Sequence, residues 1–306
     1  MMLNYIILII GFVMLIKGAD VFVESSSLIA KKFGIPSIII GLTIVAMGTS
    51  APEFSVSVQS AIAGMNDISI ANVIGSNIFN LLVVLGLSTL VGKLKINNYK
   101  DVIVMLLVGL VVLLFVSDGV LLRSEGVTLL VLFIFYVGSL IYKAFNENEE
   151  CEEIKEKQRP LFLTIVLGIV GLAAIVWGGN LVVDSASVIA QQLGMSENLI
   201  GLTIVSIGTS LPELVTSLVA TKKGELDIAV GNVIGSNIFN LLLIIGSSVA
   251  ICPMVVSLFA IYDTLFMIFS MMIFIVMTMG DETLTKIKGL PLVLIYTVYI
   301  LFTIFR

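Results

Sequence analysis

At 72–82 the chain reads N-V-I-G-S-N-I-F-N-L-L, and at 232–242 the same eleven residues return unchanged. Upstream of each copy stands a second shared stretch, G-L-T-I-V-A-M-G-T-S-A-P-E at 41–53 and G-L-T-I-V-S-I-G-T-S-L-P-E at 201–213. Glu53 thus becomes Glu213 and Asn80 becomes Asn240, both at an offset of 160 (213 − 53 and 240 − 80). A constant offset across two motifs marks two copies of one structural unit. Each copy carries one carboxylate inside an apolar run, so the duplication sets two acids at matched positions.

Of the 306 residues 58% are hydrophobic and only 12% charged, outside the range of soluble globular domains. Apolar runs long enough to cross about 30 Å of hydrocarbon as helix fall near 3–22, 36–63, 68–91, 102–116 and 126–142, then near 161–183, 198–220, 228–251, 255–279 and 288–305. The reading is an all-α integral membrane protein of ten transmembrane helices, five in each copy. An odd number of spans makes the second copy enter from the opposite face. The repeats, 1–145 and 160–306 around a linker at 146–159, are therefore inverted, as in many secondary transporters.

Loops rich in Lys and Arg stay in the cytoplasm. Lys31, Lys32, Lys93, Lys95, Lys100, Lys143, Arg159, Lys222, Lys223, Lys286 and Lys288 lie in or beside loops after odd-numbered spans, which places both termini outside a plasma membrane. The net charge of −5 is concentrated in the linker acids Glu147, Glu149, Glu150, Glu152, Glu153 and Glu156, a solvated cytoplasmic run. Cys151 and Cys252 fall on opposite faces in this topology and form no disulfide. The first span lacks a basic n-region and a small-residue cleavage site, and is expected to be retained. Asp20 and Glu24, matched by Asn180 and Asp184, are expected at span ends.

Ser50-Ala51-Pro52-Glu53 has the form of a helix start, with a Ser cap, Pro in the first turn and Glu three residues after the cap. It stands in the middle of a span, so a helix must end there as another begins. Pro52 has no N–H to offer, and carbonyls near Ala46, Met47 and Gly48 are expected to lose their helical partners. Breaks are expected in spans 2 and 7 and, at the neighbouring polar stripes, in spans 3 and 8. Ala46, Thr49, Ser50, Glu53 and Ser57 follow helical steps of three and four, as do Ser206, Thr209, Ser210, Glu213 and Ser217. Asn72, Ser76 and Asn80, and Asn232, Ser236 and Asn240, add a stripe on each following span.

The donors are carboxylates, hydroxyls, amides and carbonyls, an all-oxygen set suited to hard cations such as Ca²⁺ and Na⁺. Soft-metal chemistry would ask for Cys or His, and the chain has no His. An ionised carboxylate near the bilayer centre costs roughly 2.5 kcal/mol or more, so two of them together call for metal ions or protons. Two glutamates neutralise one Ca²⁺ or two Na⁺, the basis for exchange at a shared site. For Thr49, Ser50, Thr209 and Ser210 the other reading is ordinary capping and interhelical bonding, which can coexist with ligation. For Asn77 and Asn237, on a different face from Ser76 and Asn80, structural bonding and ligation both stay open.

The motifs G-T-S-x-P-E and G-N-x-x-G-S-N-x-x-N, the latter with Ala71 in place of its first Gly, resemble the alpha repeats of the cation/calcium antiporter superfamily. The resemblance is nearest to prokaryotic sodium/calcium exchangers and covers nearly the whole chain. It implies that Glu53 and Glu213 are central ligands shared by Ca²⁺ and Na⁺. It implies one flanking Na⁺ site from Thr49, Ser50, Ser236 and the Ala46 carbonyl, and another from Thr209, Ser210, Ser76 and the Ser206 carbonyl, with Asn80 and Asn240 closing the middle. Some exchangers of this family carry Asp at the position of Asn240. The family also implies that the first and sixth spans slide across the other eight, with three Na⁺ moving against one Ca²⁺.

The expected function is therefore an electrogenic Na⁺/Ca²⁺ antiporter with Ca²⁺, Na⁺ and the lipid bilayer as its only partners. No nucleic acid, cofactor, obligate protein partner or catalytic residue is expected. A proton-coupled Ca²⁺ or cation antiporter using the same two acids is the alternative. A channel would need no counter-ion, and the paired breaks suit alternating access better. Intramembrane serine proteolysis would want a His, and Asp118 and Asp281, at loops, make no aspartyl dyad.

Overall fold

The computed structural model describes residues 2–97, 99–146, 159–195, 206–280 and 282–305. The linker acids, Cys151, the stretch 201–205 of the second motif and the Ser206 side chain lie outside the described residues. The chain runs α1 (Met2–Phe33), α2 (Ser37–Thr49), α3 (Ala51–Ile62), α4 (Asn66–Val91), β1 (Leu94–Lys95), α5 (Tyr99–Val116), β2 (Val120–Leu121) and α6 (Arg123–Asn146). It continues α7 (Leu161–Gln192), α8 (Ser206–Thr209), α9 (Leu211–Lys223), α10 (Leu226–Ile251), β3 (Met254–Val255), α11 (Leu258–Thr278), β4 (Thr283–Leu284) and α12 (Lys286–Phe305).

Eight of these helices are long and apolar enough to cross a membrane, and α2 with α3 makes a ninth span bent by 49°. The span expected at 198–220 enters the described residues only at Ser206, so the count of ten is not reached among them. The break between α2 and α3 falls where Pro52 withdraws its N–H. The breaks expected in spans 3 and 8 are absent. Helices α4 and α10 run on unbroken, each widened by a π turn, at Asn80–Val84 and Asn240–Ile245. Neither contains Pro, so no donor is missing and the ladder changes register instead of stopping.

Helices α1 and α7 are each 32 residues, far longer than their apolar runs. At about 1.5 Å per residue they reach roughly 48 Å, so each helix continues past the hydrocarbon into polar sequence. Asp20 and Glu24 thus stand where the apolar run of α1 ends, while the helix itself continues to Phe33. Lys223 pairs with Asp20 at 2.9 Å and with Glu24 at 3.3 Å, and Arg159 reaches Glu24 at 2.9 Å.

Burial identifies the centre. Of the most apolar stretch, 83% is buried in α4 and 94% in α10, against 11% in α12. A methyl added at Gly235 of α10 would lie 2.7 Å from the Leu42 carbonyl and 2.8 Å from Ala46 Cβ. Glycine there lets α2 lie against α10 backbone to backbone, which carries the Ala46 carbonyl to Ser236.

The two halves also meet in matched antiparallel contacts. Gly11 faces Gly178 and Gly18 faces Gly171 between α1 and α7, each glycine close to the other's carbonyl. The strand pair β1–β4 joins Leu94 to Leu284, and β2–β3 joins Val120 to Val255, one at each end of α5.

Candidate cation site

The helix break aims Glu53 and Glu213 at each other's half. Ser50 and Ser210 occupy the cap positions of α3 and α9, but neither side chain caps its own helix. Ser50 Oγ donates instead to Glu213 Oε1 at 3.0 Å, and Ser210 Oγ to Glu53 Oε1 at 3.0 Å. Charge outweighs local capping here: a hydrogen bond to a buried carboxylate is worth about 1.5–3 kcal/mol, more than a helix N–H returns to the same hydroxyl. Both glutamates are fully buried and close enough for their charges to interact.

The threonines and the first asparagines of each stripe make a second crossed layer. Thr49 Oγ1 donates toward Val45 O and Asn232 Oδ1, both at 3.1 Å, and Thr209 Oγ1 donates to Asn72 Oδ1 at 3.4 Å. Asn72 donates to the main-chain oxygen of Glu53 at 3.3 Å and to Ser57 Oγ at 2.9 Å. Asn232 treats Glu213 and Ser217 in the same way, at 3.3 and 2.9 Å. Asn72 and Asn232 therefore hold the backbone at each glutamate, a role their place in the stripe hinted at without defining.

The Ala46 carbonyl, expected to be left without a helical donor, accepts from Ser50 N at 3.0 Å and from Ser236 Oγ at 3.5 Å. Ser50 N keeps the last turn of α2 closed because Pro52 comes two residues later. Ser76 stands beside Glu53, and Ser236 beside Glu213.

What stays open is the informative part. Glu53 Oε2, Glu213 Oε2, Ser76 Oγ, Asn80 Oδ1 and Asn240 Oδ1 are buried with no hydrogen-bond partner among the described residues. All five are oxygens. Further buried side-chain oxygens of the described residues, those of Thr216 and Ser248 among them, also lack a partner, so it is the pairing of an open oxygen on each acid with those of Ser76, Asn80 and Asn240, not openness alone, that fits a cation. Among the described residues no group of three or more His, Cys, Asp or Glu is placed to hold a metal ion, so any cation here must draw on hydroxyls, amides and carbonyls beside the two acids. Two buried aspartates, Asp101 on α5 and Asp263 on α11, lie outside this set, and Asp101 pairs with Lys143 at 3.7 Å. Cys252 is a free thiol.

The two ends of the site differ. Helix α1 packs along α9, where Ser27 Oγ donates to Glu225 and Lys31 pairs with Glu225 at 3.5 Å. Among the described residues α7 makes little corresponding contact with α3. Phe54 is 38% exposed on α3, while its counterpart Leu214 on α9 is half-buried.

Membrane-length helices packed about paired glutamates and an all-oxygen centre define a multi-pass membrane protein of the cation-transporter class. The chain belongs to the sodium/calcium exchanger protein family, which matches residues 3–142 and 163–305. It is 32% identical to the sodium/calcium exchanger MaX1 of Methanosarcina acetivorans over 97% of both chains. It is 38% identical to the inner membrane protein YrbG of Escherichia coli, over 83% of this chain and 81% of that one. A solved structure of the sodium-calcium exchanger NCX_Mj superposes with a TM-score of 0.86 at 31% identity, covering 98% of each chain.

Proposed function

We propose that this protein exchanges Na⁺ for Ca²⁺ across the plasma membrane by alternating access, electrogenically and without catalytic chemistry. The observation that carries the reading is the set of partnerless buried oxygens around Glu53 and Glu213. In this reading Glu53, Glu213, Asn80 and Asn240 hold Ca²⁺. Thr49, Ser50, Ser236 and the Ala46 carbonyl hold Na⁺ on one flank, and Thr209, Ser210, Ser76 and the Ser206 carbonyl on the other. The body is then ten spans in two inverted repeats with both termini outside, and residues 146–159 are the cytoplasmic linker. Family membership and the names of the relatives support the choice of ions. A proton-coupled cation antiporter is the second reading, supported by the two buried carboxylates of the centre, Glu53 and Glu213, each of which can carry a proton.

Uptake of ⁴⁵Ca²⁺ into proteoliposomes with Na⁺, K⁺ and pH gradients imposed separately distinguishes the two. Uptake is expected to follow the Na⁺ gradient at fixed pH and to respond to membrane voltage, at about 2.3 kcal/mol per charge per 100 mV. Uptake that ignores Na⁺ and follows the pH gradient would establish the second reading instead.

The unequal ends of the site support a conformation closed on the basic face, which in this reading is the cytoplasmic one. Lys223 with Asp20 and Glu24, and Lys31 with Glu225, tie α1 to the α9–α10 corner there. At the 160-residue offset the matching positions on the other face are Ala63, Asn180, Asp184, Met65 and Gln191, without a cation among them. Lys223→Ala is therefore expected to release the cytoplasmic closure alone. In oriented vesicles the apparent Ca²⁺ affinity at the cytoplasmic face should rise by up to about fivefold, the worth of a partly exposed ion pair. Equal changes at both faces would contradict this one-sided latch.

A further inference from the structure

We infer that Asn77 and Asn237 are positioning residues, each fixing the amide of an asparagine in the opposite repeat so that Asn80 and Asn240 turn oxygen, not N–H, toward the transported cation. The inference rests on the cation-site reading above. An asparagine amide is nearly symmetric in shape, and a half-turn exchanges its acceptor for a donor. A cation coordinated by the oxygen would meet an N–H₂ after such a turn. Some neighbour has to forbid the turn.

The geometry forbids it through a chain of forced choices. Asn237 Nδ2 donates to the main-chain oxygen of Asn77 at 3.3 Å and approaches Met105 Sδ at 3.7 Å. A carbonyl oxygen can only accept, so the orientation of the Asn237 amide is settled. Its Oδ1 then faces Asn80, which must answer with Nδ2, at 3.2 Å. Asn80 Oδ1 is left on the far side, buried and without a partner among the described residues.

The mirror image holds at the other half. Asn77 Nδ2 donates to Asn237 O at 3.4 Å and approaches Met267 Sδ at 3.6 Å. Asn77 Oδ1 accepts from Asn240 Nδ2 at 3.1 Å, leaving Asn240 Oδ1 open. All four amides are 0% exposed, so bulk water offers no substitute partner. Both polar atoms of Asn77 and of Asn237 are engaged in these bonds. Each side-chain oxygen already accepts one hydrogen bond from the opposite repeat, and these bonds favour the bonding role over ligation for both residues.

The relay requires that Asn237 act on Ca²⁺ only through Asn80. Purified full-length protein carrying Asn237→Ala, Asn80→Ala or both is titrated with Ca²⁺ by calorimetry, alongside thermal unfolding. Asn237→Ala should weaken Ca²⁺ binding about tenfold, the equivalent of one misdirected ligand, with the unfolding temperature lowered by about the few degrees that the unpaired Asn77 carbonyl and Asn80 amide cost. In the Asn80→Ala background the same change should cost nothing further, because no amide remains to misorient. It should also cost nothing beside Asn80→Asp, whose carboxylate presents oxygen in either orientation.

Equal losses in wild-type and Asn80→Ala backgrounds, or an unchanged affinity in Asn237→Ala, would overturn the relay. If Asn237→Ala yields no folded protein, the mirror variants Asn77→Ala and Asn240→Ala are read in its place. Failure of both to fold assigns the amides to folding and also overturns it. Wild-type protein that binds neither Ca²⁺ nor Na⁺ removes the cation-site reading itself, an outcome separate from intact binding without coupling.

Discussion

Glu53→Gln is expected to abolish Na⁺-driven Ca²⁺ uptake, and Glu213→Gln to do so equally. Glutamine keeps the length and branching of the side chain and retains an oxygen that can accept from Ser210 as Glu53 Oε1 does at 3.0 Å. What it loses is one charge and one of the open oxygens. The centre then offers −1 against a divalent ion, and an N–H₂ replaces Glu53 Oε2, which is partnerless in the native site. At about 4 Å and an effective dielectric near 20, one unit charge pair is worth roughly 4 kcal/mol, close to a thousandfold in binding. Folding should survive, since removing a buried charge relieves desolvation and repulsion. Uptake of ⁴⁵Ca²⁺ measured on monodisperse protein checks this. Flux above about a tenth of wild type in either variant would take that glutamate out of the site, because a thousandfold loss of affinity leaves no room for it.

The equality of the two losses is part of the prediction, and it comes from the crossing of the bonds. Each glutamate is held by the serine of the other half, so neither half owns a complete site. The duplication made both acids, their serines and the helix break at Pro52 legible, and the repeated motifs were enough to place the chain in its family. The crossing itself was not legible. A Ser-Ala-Pro-Glu segment read alone suggests a hydroxyl capping its own helix, and only the packing of two repeats brings a carboxylate within reach to displace that bond.

Other misses have the same origin. Hydropathy measures how much of α1 and α7 suits lipid, but Glu24, Ser25, Ser26 and Ser27 continue the helix against protein neighbours, and lipid preference says nothing there. The π turns at Asn80 and Asn240 have no Pro to announce them. Whether Asn77 bonds or ligates depends on which main-chain oxygen faces it across the interface, and its own helix cannot supply that information.

Gly18→Leu is expected to slow exchange without touching any residue of the cation site. A Cβ at Gly18 would lie 2.8 Å from Gly171 O and 2.9 Å from Ile175 N, and one at Gly171 would lie 2.9 Å from Gly18 O and from Phe22 N. These neighbours are backbone, so no rotamer change can make room. Separating α1 from α7 by the few tenths of an ångström to an ångström needed loses dispersion contacts along two 32-residue helices. Overpacking of this kind costs about 1–3 kcal/mol. If α1 and α7 move as one body over the rest, their spacing sets how both meet α9 and α3, and a wedge between them should impair closure on both faces. Exchange is expected to fall more than about tenfold, the kinetic equivalent of some 1.4 kcal/mol, with a lower unfolding temperature and nearly unchanged Ca²⁺ affinity. Gly138→Leu is the control, because a Cβ at Gly138 meets nothing within 4 Å. Loss of Ca²⁺ affinity in Gly18→Leu would mean that the helix pair shapes the site directly, and wild-type exchange would mean that the close glycine contact is not what sets the spacing.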